Sequence, residues 1–437
     1  MLDSATIQAT IAQSRDEFVR DLATLIAVPS VRGAKAPHAP FGQEPRRVLD
    51  VAVALATQYG FKAKVVNDAM AYAQWGDDDQ HYIGIVGHLD VVAAGTGWTS
   101  DPFTLAERAG RFYARGILDN KGPAFACLFG MKLLKDLGVQ PRRTVRMIFG
   151  SDEESGSGDI PMYLASEPAP TFGWTPDCKY PVVYGERGIV NYRVTTSLPA
   201  AALAELGPIT GDQAKDHVPD DLRVTVASQP LHVHGKRSPS NAPELGVNAL
   251  TLLSQQIVSH HLVQGPLFDY FQWLDASLRD KHHGEGLGID FADPDSGTLI
   301  VTPYLLEKVP GGLALELAMR YPVTFTEAQV TAGLEAHVPT GSTVDIVRSM
   351  PGTLHAKDDP FIQVLSDVYA EVTGLDGTPV TTTGATYARE MPNIIAFGPS
   401  FPGQKGIAHK EDEWMDEKDL IANMTIYMTA IDRLVTN

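Results

Sequence analysis

Two apolar runs in this sequence end in residues that could bind a metal ion. The first, residues 82–86, is short and rich in β-branched side chains, which predicts a buried strand closed by Gly87. His88 and Asp90 follow at once, and residues two apart in an extended segment project to the same side. The two side chains could therefore serve one site, although such a pair is also common as a simple polar contact.

The second run, residues 144–149, predicts a strand that leads directly into the acidic segment G-S-D-E-E-S-G-S-G-D. Carboxylates placed so close together repel one another unless a cation or solvent compensates their charge. Ligands gather at the carboxyl ends of strands in an open α/β sheet. This position favours a cation site over a solvated acidic turn.

Further candidates stand later in the chain, at Asp119, Asp177 and His409. Asp119 lies just ahead of a predicted helix over residues 124–137, where N-cap aspartates are common, so a capping role competes with metal binding. A mixed set of histidines and carboxylates without sulfur suits zinc, or manganese and cobalt. The complete set is His88, Asp90, Asp119, Glu153, Glu154, Asp177 and His409.

These residues suffice for a site with two metal ions, provided that one carboxylate bridges them. Two metals about 3.5–4 Å apart can share a bridging water that becomes a nucleophile near neutral pH. An adjacent carboxylate can take the proton of that water and pass it to a leaving amine. One of Glu153 and Glu154 would bind metal and the other would act as this base, while Asp90 would orient His88 through its second ring nitrogen.

The bulk composition narrows the class of protein. The chain has 437 residues, which predicts two domains, and its formal net charge of −18 argues against nucleic acid and anionic membranes as partners. The two cysteines, Cys127 and Cys178, indicate a reducing compartment. No secretory signal and no run of 18 apolar residues is found, so we expect a cytoplasmic protein without a membrane span. Cys178, beside Asp177, is interpreted as a small buried residue rather than a redox control point.

The pattern of predicted elements changes along the chain. Helices and buried strands alternate up to Gly188, after which strands alternate apolar and polar residues like a half-exposed antiparallel sheet. The α/β character returns near residue 355, and the C-terminal segment is expected to complete the first sheet. The prediction is a domain over residues 1–187 and 355–437, interrupted by an α+β domain over residues 188–354.

Five motifs occur in an order that resembles one enzyme family. They are H-L-D-V-V with G-T-G-W, R-G-I-L-D-N-K-G-P, G-S-D-E-E-S-G-S-G-D, T-P-D-C-K-Y-P-V-V-Y-G-E-R-G and A-H-K-E-D-E-W. Together they resemble the di-metal aminoacylase and exopeptidase family that includes carnosinases and succinyl-diaminopimelate desuccinylases, in particular its PepV-type (Xaa-His) dipeptidases. The resemblance covers essentially the whole chain. It implies an α/β catalytic domain with a mixed central sheet flanked by helices, interrupted by an inserted α+β lid domain.

The resemblance also implies a role for each candidate. His88 and Asp177 would bind one metal, and Glu154 and His409 the other. Asp119 would bridge the two ions, which sets aside the N-cap interpretation. Glu153 would be the general base and Asp90 its supporting acid.

Substrate contacts are implied at three further positions. Arg320, in M-R-Y-P, matches the lid arginine that binds the substrate carboxylate, although an arginine on an exposed strand face would look the same. Gly384, in T-G-A-T-Y-A-R, lies in a segment that resembles a substrate-contacting loop. Asn241 enters as a candidate for a role that the family usually gives to a lid histidine.

That histidine is the one clear departure from the family pattern G-K-x-A-H-x-x-x-P. The sequence reads G-K-R-S-P-S-N-A-P, which places Pro239 where the histidine should be. Proline has no side-chain donor, so the oxyanion-stabilising role is vacant or is taken by a neighbour. Removal of one oxyanion donor typically costs about 10²–10³ in rate. The candidate neighbours are His232, His234, Arg237 and Asn241.

The sequence thus predicts a metal-dependent dipeptidase that uses a metal-bridging water activated by Glu153 on dipeptides with a free C-terminal carboxylate. The alternatives are an N-acyl amino acid amidohydrolase of the deacetylase or desuccinylase type, and a metal-binding relic with reduced turnover. Two divalent ions are expected, zinc ahead of manganese or cobalt. The enlarged lid favours a monomer over a homodimer.

Overall fold

The fold is given by a computed structural model that describes residues 2–404 and 406–436. The chain forms two compact units. The first unit comprises Met1–Tyr184, His355–Val380 and Gly384–Asn437, and the second comprises Gly185–Leu354 and Thr381–Thr383.

The secondary structure alternates helices and strands in the first unit and is richer in strands in the second. The helices are α1 (Ser4–Gln13), α2 (Arg15–Ile26), α3 (Gln43–Gln58), α4 (Lys121–Asp136), α5 (Asp159–Leu164), α6 (Ala200–Ala204), α7 (Ala249–Ser259), α8 (Gly265–Leu278), α9 (Glu327–Glu335), α10 (Pro360–Thr373) and α11 (Glu417–Thr436). The strands are β1 (Lys62–Val66), β2 (Met70–Trp75), β3 (Tyr82–His88), β4 (Ala106–Arg108), β5 (Arg111–Tyr113), β6 (Thr144–Gly150), β7 (Phe172–Thr175), β8 (Cys178–Lys179), β9 (Val182–Glu186), β10 (Gly188–Ser197), β11 (Thr210–Gly211), β12 (Asp221–Val226), β13 (Gln229–His234), β14 (Ala292–Asp293), β15 (Gly297–Thr298), β16 (Ile300–Val309), β17 (Gly312–Tyr321), β18 (Ser342–Met350), β19 (Thr353–Leu354), β20 (Val380–Thr382), β21 (Ile394–Phe397), β22 (Pro399–Ser400) and β23 (Trp414–Asp416).

A mixed sheet forms the centre of the first unit, and β1-β2-β6-β3-β7-β21-β9 is the part of its strand order that starts in this unit. The four inner strands β6, β3, β7 and β21 are parallel to one another, and β1, β2 and β9 are joined antiparallel at the edges. Strand β21 lies between β7 and β9, so the C-terminal segment does complete the first sheet, as predicted.

Alternate residues of β3 pack into different cores, which shows that the sheet is covered on both faces. Ile83 and Ile85 belong to a large core that includes residues of α2, α3, α4, α10 and α11. Tyr82 and Val86 belong to a smaller core with Ile160 of α5. Inner parallel strands are buried on both faces in α/β folds, which explains the unbroken apolar run at residues 82–86.

The helix ends in this unit follow their sequence signals. Helix α10 begins with Asp359, whose side chain accepts a hydrogen bond from the backbone N–H of Phe361, and continues with Pro360. It ends at Gly374, which adopts φ of 71°. Glycine tolerates this left-handed conformation at little cost. Both ends of this helix therefore follow from residue types that favour the start and the end of a helix.

The second unit contains an antiparallel four-stranded sheet of order β16-β17-β10-β18 and a smaller sheet of order β11-β12-β13. Helices α7 and α8 contribute buried leucines to a core of its own. An α/β unit interrupted by an α+β unit confirms the predicted fold class. The predicted domain limits, residues 188–354, differ from this unit, which begins at Gly185 and includes Thr381–Thr383, and the domain assignment stays a prediction.

Among the described helices, none combines the length and the apolar character needed to cross a bilayer.

Candidate metal centre

The carboxyl ends of three parallel strands bring the predicted ligands to one edge of the sheet. Strand β3 ends at His88, β6 at Gly150 and β7 at Thr175, and His88 lies opposite Gly150 in the parallel ladder. The acidic segment follows β6, and Asp177 follows β7. Because parallel strands finish at the same edge, residues far apart in sequence meet there.

Asp119 stands between two histidines. Its Oδ1 lies 3.0 Å from Nε2 of His88, and its Oδ2 lies 3.0 Å from Nε2 of His409. Asp177 approaches His88 from a second direction, with Oδ2 3.5 Å from Nε2. Glu154 does the same for His409, with Oε1 3.0 Å from Nε2. The candidate ligands thus form two triads that share Asp119, each with its ligand atoms within 4.8 Å of one another.

The acceptors around the two ring nitrogens of His88 show that this edge suits a cation. Its Nδ1 lies 2.9 Å from the backbone carbonyl oxygen of Asp90, which can only accept, so Nδ1 donates. In the neutral form of the ring, Nε2 presents a lone pair to the carboxylates of Asp119 and Asp177. Burial lowers the pKa of His88, but these carboxylates outweigh it and raise that pKa well above its ordinary value. Two carboxylates and a nitrogen lone pair that face one another repel, so a proton or a metal ion must lie between them.

The pKa values of the neighbouring acids and of His409 also indicate a site that suits a cation. Burial raises the pKa of Asp177 to about 7, and burial together with the charge of Asp119 raises the pKa of Glu154. Hydrogen bonds to Asp119 and Glu154 raise the pKa of His409 to about 11. Buried carboxylates of this kind are costly unless a positive charge compensates them. The nitrogen and oxygen donors present fit zinc or a similar divalent ion.

Asp90 contacts His88 on one side and the two glutamates on the other, but its carboxylate does not orient the His88 ring as predicted. Its carboxylate oxygens accept the backbone N–H groups of Glu153 and Glu154, at 3.2 and 3.1 Å. The closer contact to Nδ1 of His88 comes from the Asp90 carbonyl, because the carboxylate Oδ1 is 3.5 Å away. Asp90 therefore fixes the ring of His88 with its backbone and the pair of glutamates with its side chain.

Glu153 occupies an environment that strengthens it as a base. Burial raises the pKa of its carboxyl well above the ordinary value, and the charges of Asp177, Glu154 and Asp119 act in the same direction. His88 opposes them. A carboxylate with a raised pKa is a better proton acceptor near neutral pH.

The alternative interpretation of Asp119 as a helix cap is wrong. Helix α4 has Asn120 in the N-cap position, one residue further along. The carboxylate of Asp119 is engaged by the two histidines instead.

Comparisons with known proteins agree with this geometry. The chain matches the family model described as Peptidase family M20/M25/M40 over residues 84–433. It is similar to Putative dipeptidase YtjP of Bacillus subtilis (strain 168), with 30% identity over 467 residues that cover 98% of this chain and 99% of the relative. The chain belongs to peptidase family M20/M25/M40. The predicted enzyme class, a metallo-exopeptidase, is confirmed at this level.

Solved structures of the M20 fold cover nearly the whole chain. Human carnosine dipeptidase 1 aligns with a TM-score of 0.61 and 17% identity, covering 99% of both chains. Bacillus subtilis YXEP, described as a dinuclear metal binding peptidase from the M20 family, aligns with a TM-score of 0.52 and 10% identity, covering 96% of this chain and 98% of that one. At these identities the likeness concerns the fold.

The predicted substrate residues of the M20 chain are divided between the units. Arg320 is half-buried in β17, where it pairs with Ile189 of β10 and Ile300 of β16. Asn241 is exposed in the second unit, with its side-chain nitrogen 3.4 Å from Oγ1 of Thr383. Gly384 lies in the first unit, and its carbonyl accepts a hydrogen bond of 3.2 Å from Arg389.

Pro239 sits in a segment whose charged neighbours already have partners. Arg237 forms ion pairs with Asp212 and Asp220. His232 and His234 both contact Asp221. The sequence reasoning anticipated none of these ion pairs.

Two supports of the centre were missed by the sequence reasoning, although both lie inside the quoted motifs. Glu413, in A-H-K-E-D-E-W, is fully buried and accepts the backbone N–H groups of Leu118 and Asp119 at 2.9 and 3.2 Å. Asp159, the last residue of the acidic segment, accepts the N–H of Ser151 at 2.7 Å and the hydroxyl of Tyr387. In both cases the sequence did offer a signal, namely an acidic residue that stands in a motif but has no role assigned to it.

Proposed function

We propose that this chain hydrolyses the peptide bond of dipeptides that carry a free C-terminal carboxylate, with Glu153 as general base. The arrangement around Asp119 carries this proposal, because its two carboxylate oxygens each lie 3.0 Å from a different histidine. Such sharing is what a pair of neighbouring metal ions requires of a bridging ligand. The names of curated relatives such as Putative dipeptidase YtjP support a dipeptide substrate.

The residues that would hold the metals are the two triads. His88 and Asp177 would bind one ion, Glu154 and His409 the other, and Asp119 both. Two divalent ions held there would supply Lewis acidity, which polarises a scissile carbonyl and makes a water molecule more acidic. Zinc is proposed as the metal, since imidazole and carboxylate donors suit it, with manganese and cobalt as alternatives.

The proton transfers are assigned to Glu153. Its carboxylate takes a proton from the attacking water and delivers it to the leaving amine nitrogen. Burial keeps the pKa of this carboxyl raised, which favours uptake of the proton from water. Delivery of the proton is driven by the leaving amine, which is a stronger base than the carboxylate. Asp90 holds the backbone of Glu153 in place by accepting its N–H group.

Substrate recognition is proposed for the second unit. Arg320 would bind the C-terminal carboxylate, for which a guanidinium is the best-matched side chain. With Pro239 in the position of the usual histidine, Asn241 is proposed as a neutral donor to the oxyanion, and Gly384 as a backbone contact. Arg320→Lys is then expected to raise KM for dipeptides more than it lowers kcat.

The test is hydrolysis of a panel of dipeptides and N-acyl amino acids by protein stripped with a chelator and reloaded with zinc, manganese or cobalt. We expect metal-dependent cleavage of dipeptides and a loss of about 10²–10⁴ in kcat for Glu153→Ala, with the metal content retained. Glu390→Ala, which changes an exposed glutamate in the same unit, is the matched control and should keep full activity.

The alternatives give different outcomes in the same experiment. Preferential cleavage of N-acyl amino acids would replace the dipeptidase proposal by an amidohydrolase. Loss of metal in Glu153→Ala would contradict its role as a base, because the residue would then be a ligand. Absence of turnover on every substrate, with two metals bound, would indicate a relic and would make Pro239 decisive.

A further inference from the structure

A second cluster of possible metal ligands lies on an exposed hairpin of the second unit. Strands β12 and β13 pair antiparallel, and Ala227 and Ser228 form the turn with φ of 47° and 68°. Two consecutive positive φ values fit the tight two-residue turns that fix hairpin register. In this register Asp221 lies opposite His234.

One face of the hairpin is apolar and the other presents the cluster. Leu222, Val224 and Val226 of β12 are buried in the core of the second unit. Because side chains alternate along a strand, Asp221 projects to the opposite face. His232 and His234 are two residues apart on β13 and share that exposed face.

The three side chains converge on one point. Oδ2 of Asp221 lies 2.7 Å from Nε2 of His232 and 3.1 Å from Nδ1 of His234. The two imidazole rings have centroids 3.8 Å apart, and the three ligand atoms all lie within 4.8 Å of one another. The other carboxylate oxygen of Asp221, Oδ1, forms an ion pair of 3.3 Å with Arg223.

These separations are close to those around a metal ion. Donors bound at about 2.0–2.2 Å in a tetrahedral site are roughly 3.4 Å apart. The two carboxylate–imidazole distances, 2.7 and 3.1 Å, are shorter than this by about 0.7 and 0.3 Å, as expected where hydrogen bonds hold the same groups together. The donors would have to separate only slightly to admit an ion, and paired strands are a rigid support for such a site.

We propose that Asp221, His232 and His234 form a further metal site, which binds one first-row transition dication such as zinc, copper or nickel. Imidazole donors favour these metals over magnesium and calcium, which prefer oxygen. Water would complete the coordination, since the cluster is exposed. The site shares no ligand with the two triads around Asp119, and its occupancy would tie β12 to β13.

The proposal is tested by counting metal ions in the full-length protein. Chelator-treated protein is dialysed to equilibrium against buffered micromolar zinc, and bound zinc is measured by elemental analysis. We expect His232→Ala/His234→Ala to bind one zinc fewer per chain than the unaltered protein. His260→Ala/His261→Ala removes two exposed histidines from the same unit and should leave the count unchanged.

A second, milder variant tests the same site in case the double histidine variant does not fold. Asp221→Asn keeps the size of this half-buried side chain and should weaken zinc binding at this site at least tenfold in a competition titration. Zinc counts that are equal in the unaltered protein and in both cluster variants would overturn the proposal. Loss of zinc from the double variant and from the control variant alike would also overturn it, since the effect would then not be specific to the cluster.

Discussion

Glu413 binds the backbone of the loop that carries Asp119, although the two residues are far apart in the sequence. Its Oε1 accepts Leu118 and Asp119, while its Oε2 accepts Gly116 and forms an ion pair of 2.7 Å with Arg115. Both charged side chains are almost completely buried. Glu413 is therefore a positioning residue for the loop that presents Asp119.

Replacing Glu413 should weaken metal binding. Glu413→Gln removes the charge that pairs with the buried Arg115 and puts an amide donor near backbone donors. Outer supports of metal ligands typically contribute 10–100-fold to affinity, so we expect zinc affinity to fall by that factor in a competition titration. Glu411→Gln, two residues away and exposed, is the matched control. Affinity retained within twofold in Glu413→Gln would contradict the positioning role.

At the same scale, the sequence pointed to the candidate ligands but not to the residues that support them. His88, Asp119, Glu154, Asp177 and His409 stand in recognisable motifs, and the structure brings them together. The contact of Glu413 with Asp119 spans 294 positions along the chain. No spacing or periodicity encodes such a contact, because it depends on tertiary packing.

Among the elements, the loop between β6 and α5 determines where the acidic pair stands. Asp159 accepts the N–H groups of Ser151 and Asp152 at 2.7 and 3.2 Å, which closes the loop on itself. Gly150 leaves no room for a side chain, since a Cβ there would lie 1.9 Å from the hydroxyl of Tyr387. The end of β6 is therefore fixed by the same tyrosine that contacts Asp159.

A methyl group at Gly150 should displace this loop. Gly150→Ala forces Tyr387 or β6 to move, and overpacking of this kind typically costs about 1–3 kcal/mol of unfolding free energy. We expect that loss in denaturant titrations, together with reduced zinc affinity because Glu154 moves. Gly33→Ala is the control, because the backbone there is not in the left-handed region and the nearest neighbour of an added Cβ would be 3.6 Å away, an ordinary van der Waals contact. Equal stability of the two variants would show that the loop adapts freely.

The elements themselves were largely predictable, with an instructive exception. Strands β3 and β6 and helix α10 follow from apolar runs and capping residues. Helix α1 was not predicted, because only Ile7 and Ile11 of its residues are buried. A helix that buries so narrow a stripe leaves little periodic signal in the sequence.

At the scale of the whole molecule, the main segment of the second unit begins and ends at two strands that pair with each other. Leu354 lies opposite Gly185 in the ladder between β19 and β9, so the two ends of the second unit's main segment are neighbours. The change in strand pattern lies near Gly188, whereas the second unit begins at Gly185. The return of Thr381–Thr383 to the second unit was not predictable, since three residues carry no compositional signature.

The second unit should fold on its own. A fragment Gly185–Leu354 retains the second unit's core and begins and ends at paired residues, so we expect cooperative unfolding in denaturant. Within it, Leu250→Ala should cost about 2–5 kcal/mol, because Leu250 is fully buried. Leu245→Ala should change stability by less than about 0.5 kcal/mol, since Leu245 is 60% exposed. A fragment without a sigmoidal transition would show that the unit depends on the rest of the chain.

The position of His409 has a consequence for how the protein is made. Roughly 230 residues separate it from Asp177, the preceding ligand. At about 5–20 residues per second, a ribosome needs on the order of 10–50 s to synthesise that interval. During this time the nascent chain already contains His88, Asp119, Glu154 and Asp177 but lacks the histidine that faces Glu154. Translation itself would therefore delay completion of the proposed metal centre until residue 409 has been synthesised.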